Sequence, residues 1–193
     1  MRIGIFSDIH GNVAGLERAL DLLEEQHVDT LICAGDVINE YRFSNDAVRI
    51  VRETGAYLIH GNHEETFFGP YGARARSDPK IDPELMAWLE DQPDELRLDL
   101  GNRKFYVVHG SPWPPYKEYL YEHHPKIQLF RDVGADFVVL GHTHARMLVR
   151  AGDTLVINPG SVGEARTPNE GKHLSCAVVE TDTTEVTFLT YHV

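Results

Sequence analysis

Arg2-Ile3-Gly4-Ile5-Phe6-Ser7-Asp8-Ile9-His10 begins as a short apolar strand and breaks at once into an aspartate and a histidine. The same arrangement recurs down the chain. The apolar runs Leu31–Ala34, Tyr57–Ile59, Phe105–Val108 and Phe137–Leu140 are followed within two residues by Gly35-Asp36, Gly61-Asn62-His63-Glu64, His109-Gly110 and Gly141-His142-Thr143-His144. Helical patterns lie between them. Asn12 can cap a helix whose Val13, Leu16, Leu20 and Leu23 recur at helical spacing. Ser44–Thr54 carries Ala47, Val48 and Val51 and stops at Gly55, which suits a helix end. Strands alternating with helices predict an α/β fold, in which ligands collect beyond the carboxyl ends of parallel strands. Five polar clusters at five strand ends therefore predict one cleft.

Thr30–Ala34 and Ala56–Ile59 are the next predicted strands. Residues 66–93 are less regular, with a helix through Leu85, Met86 and Leu89. Arg103–Val108 and Asp136–Leu140 are strands separated by a helix around Ile127–Val133. From Arg146 onward the pattern changes to short strands without helices: Met147–Arg150, Leu155–Ile157, Leu174–Glu180 and Val186–Tyr191. The expectation is a single domain over residues 1–193, with parallel βα units first and an antiparallel section last. A two-sheet β-sandwich flanked by helices satisfies it. Asn158-Pro159-Gly160-Ser161-Val162-Gly163 reads as a turn with a mainly structural role.

Eighteen lysines and arginines against thirty acidic residues give a net charge of −12. Such a chain is repelled by phosphate backbones and anionic membranes, so extensive nucleic-acid binding and membrane adhesion are not expected. A small phosphorylated substrate is allowed if something local supplies positive charge. The first apolar run is too short for a signal-peptide core, and no run is long enough to cross a bilayer. Cys33 and Cys176 sit in apolar runs and read as buried thiols of a cytoplasmic protein. A homo-oligomer is compatible with the sequence, which does not determine it.

Asp8, Asp36 and Asn62 together with His10, His109, His142 and His144 make a mixed oxygen and nitrogen donor set without cysteine. It suits Mn²⁺ first, with Fe, Zn²⁺, Co²⁺ or Ni²⁺ as alternatives, better than the oxygen-seeking Ca²⁺ or Mg²⁺. The donors exceed what one tetrahedral site uses. They suit two divalent ions roughly 3.5–4 Å apart with a bridging carboxylate, as in phosphatases and nucleases. Such a centre stays net positive inside an acidic protein, as an anionic phosphoryl group requires. His27, His123, His124, His173 and His192 read as solvated or ordinary core residues, and His60 as a strand-end residue that supports the cleft from behind. Arg166 is a candidate contact to the substrate phosphate.

In this order, Asp8-x-His10, Gly35-Asp36, Gly61-Asn62-His63-Glu64, His109 and Gly141-His142-x-His144 resemble the five signatures of the calcineurin-like metallophosphoesterase superfamily, over nearly the whole chain. Its size and its Asn158-Pro159-Gly160-Ser161 segment resemble the short single-domain branch of YfcE-type phosphodiesterases. The resemblance implies a β-sandwich with flanking helices. It also implies that Asp8, His10, Asp36 and His144 hold a first metal, and that Asp36 bridges to a second held by Asn62, His109 and His142. His63 is then catalytic, acting at the leaving oxygen. The protein phosphatases of the superfamily extend Gly-Asp to Asp-Arg-Gly. Here Val37-Ile38-Asn39-Glu40 follows, so the arginine is missing, and Asn39 stands where an aspartate that orients the histidine is expected. That argues against phosphoprotein phosphatase activity and leaves Asn39, with Arg166, as a substrate-side candidate.

The leading expectation is hydrolysis of a small phosphodiester by in-line attack of a hydroxide between the two metals. The alternatives are a phosphomonoesterase with the same site and a non-catalytic metal-binding scaffold, since a retromer subunit resembling this fold serves as a protein-binding module. Residues 66–93 and 111–124 are the expected cleft walls. The aromatics of the second, among them Trp113, Tyr119 and Tyr121, read as a packed loop, a subunit contact or a platform for a nucleobase.

Overall fold

The computed structural model describes residues 1–164 and 173–193. Among these the strands are β1 (Arg2–Phe6), β2 (Thr30–Cys33), β3 (Tyr57–Leu58), β4 (Glu95–Leu100), β5 (Arg103–Val108), β6 (Phe137–Val139), β7 (Arg146–Ala151), β8 (Thr154–Pro159), β9 (Leu174–Glu180) and β10 (Val186–Tyr191). The helices are α1 (Val13–Glu25), α2 (Asn45–Thr54), α3 (Asn62–Phe68), α4 (Ala73–Arg76) and α5 (Pro83–Glu90). Local chemistry sets their ends. Asn12 Oδ1 accepts from the Gly15 amide at the start of α1, Ser44 Oγ accepts from the Ala47 amide at the start of α2, and Gly55 closes α2 at φ 67°.

Two five-stranded sheets stack, in the orders β10-β9-β1-β2-β3 and β4-β5-β6-β8-β7. Alternate residues of facing strands fill the space between them: Ile3, Ile5, Ile32, Phe105, Val107, Phe137, Val139, Ile157 and Val179. The outer face of the first sheet, with Phe6, Cys33 and Cys176, is covered by Leu16, Leu23, Val48 and Val51 of α1 and α2. Ile127 and Phe130, from a 3-10 segment (Pro125–Asp132), cover Tyr106, Val138 and Val156 of the second. With both faces buried, the central strands must be apolar throughout, which is why they read as continuous runs. Both cysteines are buried free thiols. No helix among the described residues is long and apolar enough to cross a membrane.

The α/β sandwich matches the sequence expectation, and four details correct it. β1, β2 and β3 run parallel, as do β5, β6 and β8, but antiparallel strands border both sets. The chain end is therefore no separate antiparallel section, because β9 docks beside β1 and β8 beside β6. β4 was not expected. It is a half-exposed edge strand in which Glu95, Arg97 and Asp99 alternate with leucines. The helix expected around Ile127–Val133 is the 3-10 segment, and Asn158 and Pro159 finish β8 instead of forming a turn.

Candidate metal centre

Three of the five polar clusters turn sharply as their strands end. Asp8, His10, Asp36, His142 and His144 have φ of 57°, 50°, 55°, 70° and 56°. The left-handed region costs a residue with a Cβ about 1–2 kcal/mol, so the surroundings must impose it. They do so through hydrogen bonds. The Asp8 amide donates to the Gly35 carbonyl at 3.0 Å, and the amides of Ile9 and His10 donate to the Asp36 carbonyl at 2.8 and 3.0 Å. The fully buried Glu64 carboxylate accepts three backbone amides: Asp36 at 2.9 Å, Ile38 at 3.0 Å and Gly61 at 2.8 Å. Glu64 thus ties the loop after β2 to the start of α3, an arrangement with no room to spare. A Cβ on Gly61 would lie 2.1 Å from Asp36 Oδ1.

A second brace comes from the far side. Ser161 Oγ donates to the Asp8 carbonyl at 2.7 Å, and the Gly163 amide donates to the same oxygen at 3.0 Å. Asn158 Nδ2 donates to the Gly141 carbonyl at 2.6 Å and to Thr143 Oγ1 at 3.1 Å. The segment expected to play a mainly structural part therefore holds two of the clusters in place.

These loops bring all seven expected metal-binding side chains together. His144 Nε2 lies 3.3 Å from Asp8 Oδ1 and 3.0 Å from His10 Nε2. His109 Nε2 lies 3.2 Å from both Asp36 Oδ2 and Asn62 Oδ1. Asp36 Oδ2 stands between the two groups, 4.0 Å from His10 Nε2. Donor atoms of Asp8, His10 and His144 fall within 4.8 Å of one another, as do those of Asp36, His109 and His142.

The imidazoles are set to coordinate. His109 Nδ1 donates to the Ala34 carbonyl at 2.6 Å and His144 Nδ1 to the Glu164 carbonyl at 2.8 Å. A carbonyl can only accept, so each Nδ1 carries the proton and Nε2 faces the cluster, the arrangement typical of metal-binding histidines. His142 Nε2 is buried without a hydrogen-bond partner. A buried bare nitrogen among carboxylates and further imidazole nitrogens fits a divalent cation, so the residues present suit the ions they were expected to hold.

Charge is arranged accordingly. Burial pushes Asp8 up to about 7 against the pull of His109. Burial also acts to raise Asp36, but His109, His63 and His10 hold it below the ordinary carboxylate range. Burial lowers His10 to about 3 and His142 to about 4, which keeps both rings neutral and able to bind a cation. For His109 burial works downward, yet Asp36 and Asp8 outweigh it and raise the ring to about 9.

His63, on the first turn of α3, packs edge-on against His10 with ring centroids 4.6 Å apart and puts Nε2 3.8 Å from Asp36 Oδ2. Asn39 directs its amide away from His63, onto the His10 carbonyl at 2.8 Å. Glu40 reaches His63 instead, with Oε2 2.8 Å from Nδ1. The sequence carried no signal for this contact, since Glu40 lies beyond the motif. Arg166 lies outside the described residues. His60 is fastened behind the site, its Nε2 at 2.7 Å from the Leu89 carbonyl. Tyr119 stacks on His142 with centroids 3.8 Å apart, and Trp113 packs on Phe130, so residues 111–124 form a wall. Beside that wall a cavity of about 410 Å³ is lined by Tyr121, His124, Thr143, Ala145 and Arg146.

The chain is similar to Phosphodiesterase MJ0936 of Methanocaldococcus jannaschii, with 27% identity over 170 residues and 83% of each protein covered. It is similar to Phosphodiesterase YfcE of Escherichia coli K12, with 24% identity over 186 residues covering 96% of this chain and 91% of that one. Among solved structures it is similar to a metallophosphoesterase from Sphaerobacter thermophilus, with TM-score 0.79 and 26% identity over all of this chain and 89% of the other. The family model of the calcineurin-like phosphoesterase superfamily domain matches residues 1–184, so the chain belongs to that superfamily.

Proposed function

We infer that the protein hydrolyses a small phosphodiester at a centre of two divalent ions, with Mn²⁺ the first metal to test. The observation that carries this reading is the pair of donor groups, Asp8–His10–His144 and Asp36–His109–His142, with Asp36 between them. Asn62 Oδ1 extends the second group. When bound, the ions supply Lewis-acid activation of water and of the phosphoryl oxygens. The chain's own residues do the rest. Backbone carbonyls behind His109 and His144 fix the ring orientation, so little reorganisation remains when charge develops on phosphorus. His63 is more exposed than Asp36 beside it, at 18% against 2%. It delivers a proton from Nε2 to the leaving oxygen as the P–O bond breaks. Two similar proteins named phosphodiesterases, and the cavity beside Thr143 with room for a second ester group, favour a diester over a monoester.

The test compares bis-p-nitrophenyl phosphate with p-nitrophenyl phosphate, using metal-stripped protein before and after Mn²⁺ is added. Metal-dependent turnover of the diester, lost in Asp36→Asn, is the expected result. His63→Ala should keep its metal and lose about 10²–10⁴-fold in kcat on a diester whose leaving group needs a proton, such as diphenyl phosphate, and less on bis-p-nitrophenyl phosphate. Preference for the monoester would replace the diesterase reading with a phosphatase one.

A further inference from the structure

The turn after Asp36 is built to deliver one side chain. Asn39 and Arg42 pair backbone to backbone, the Asn39 amide donating at 3.2 Å and the Arg42 amide at 3.1 Å. Glu40 and Tyr41 therefore form the tip of a tight turn. Its base is fixed twice. Asn39 Nδ2 holds the His10 carbonyl at 2.8 Å, and the Ile38 amide donates to Glu64 Oε1 at 3.0 Å. Glu64 follows His63 on α3, so one buried carboxylate fixes both the turn that carries Glu40 and the helix that carries His63.

The result is a double contact at one ring nitrogen. Glu40 Oε2 lies 2.8 Å from His63 Nδ1, and the Glu40 backbone amide lies 3.0 Å from the same atom. The two contacts serve different states of the ring. The amide donates to a bare Nδ1, whereas the carboxylate accepts from a protonated one. In either case the ring is held with Nε2 toward Asp36.

We propose that Glu40 is the positioning residue of His63, its carboxylate holding Nδ1–H so that Nε2 meets the leaving oxygen; this rests on the hydrolase reading above. The step balances without Glu40 changing its charge. Water adds its oxygen, with one of its protons, to phosphorus, the bond from phosphorus to the leaving oxygen breaks, and Nε2–H passes to that oxygen. The other proton of the water returns to Nε2 through solvent, and Nδ1 keeps its proton, hydrogen-bonded to Glu40, throughout. Because the side chain is 41% exposed, its contribution is to orientation and not to fold stability.

The test uses two symmetrical diesters with Mn²⁺-loaded protein. p-Nitrophenol leaves readily as an anion, whereas phenol needs its proton delivered. Glu40→Ala should lose about 10²-fold in kcat on diphenyl phosphate and far less on bis-p-nitrophenyl phosphate, with KM and metal content unchanged. Glu40→Gln keeps an oxygen for Nδ1–H and should restore most of the loss. Adding Glu40→Ala to His63→Ala should cost nothing further, because residues that act as a unit are not additive. Equal slowing of both esters by Glu40→Ala, or an additional loss on top of His63→Ala, would overturn the proposal while leaving the hydrolase intact. If the wild type turns over neither ester, or His63→Ala is as active as wild type on diphenyl phosphate, the mechanism beneath the proposal falls and the proposal falls with it.

Discussion

Alanine in place of glycine inside a helix normally stabilises it by about 0.8–1.0 kcal/mol, and Gly15 should do the opposite. Gly15 is in the first turn of α1, where a Cβ would lie 2.1 Å from the Val162 carbonyl oxygen, 0.9 Å inside the 3.0 Å below which such contacts are essentially never found. The neighbours cannot yield cheaply. The Val162 amide is bonded to the Ser7 carbonyl and the Gly163 amide to the Asp8 carbonyl, each at 3.0 Å. Asn12, which caps the same helix, also donates to the Gly163 carbonyl at 3.0 Å. On the helix side, Tyr191 Oη donates to the Gly15 carbonyl at 2.8 Å. Overpacking against backbone held this way belongs at the upper end of its range, about 3 kcal/mol. Subtracting the propensity gain leaves Gly15→Ala about 2 kcal/mol less stable. Urea unfolding of the metal-free protein at unchanged m-value measures this, and calorimetric titration with Mn²⁺ should show weaker binding because the strain falls on the Asp8 loop. A variant about 1 kcal/mol more stable than wild type, with metal affinity intact, would refute the idea that residues 162–163 brace Asp8.

Two further outcomes are expected. Ser161→Ala removes the buried donor to the Asp8 carbonyl and the part-buried acceptor of the Gly163 and Glu164 amides. It should destabilise the metal-free protein by about 2 kcal/mol and weaken metal binding, as read by the same unfolding and titration experiments. Metal affinity should also depend on pH. In the metal-free site a proton stays on His109 up to about 9 and on Asp8 up to about 7, and both must leave for coordination. Mn²⁺ should therefore bind more tightly as pH rises from 6 to 9, by about tenfold per unit above 7 and more steeply below. A flat affinity across that window would contradict the protonation states assigned to His109 and Asp8.

The strands that carry the site were legible because most of them are buried on both faces and each ends in a polar break, as at Phe6-Ser7-Asp8 and Leu140-Gly141-His142. β4 was not, since an edge strand with Glu95, Arg97 and Asp99 on its exposed side lacks the apolar run that marked the others. α3 was hidden for another reason. Gly61-Asn62 has the composition of a turn, and its helical state depends on Glu64 accepting the Gly61 amide. The donors at the centre were readable by residue type, whereas the residues that hold them were not. Glu64, Asn158 and Ser161 act through backbone groups distant in sequence, and Glu40 is placed by a hairpin pinned at Asn39. Nothing in a linear pattern encodes such contacts.

Asp8, His10 and Asp36 leave the strands of one sheet, while His109, His142 and His144 leave the strands of the other. Neither sheet alone can complete either donor group. An ion captured there would act as a rivet through the sandwich, its binding free energy favouring the docked halves. A chain still emerging from the ribosome, with β5 and β6 unmade, offers only part of each cage and has little hold on a metal. A metal bound to either of these groups would therefore couple its affinity to the docking of the two layers.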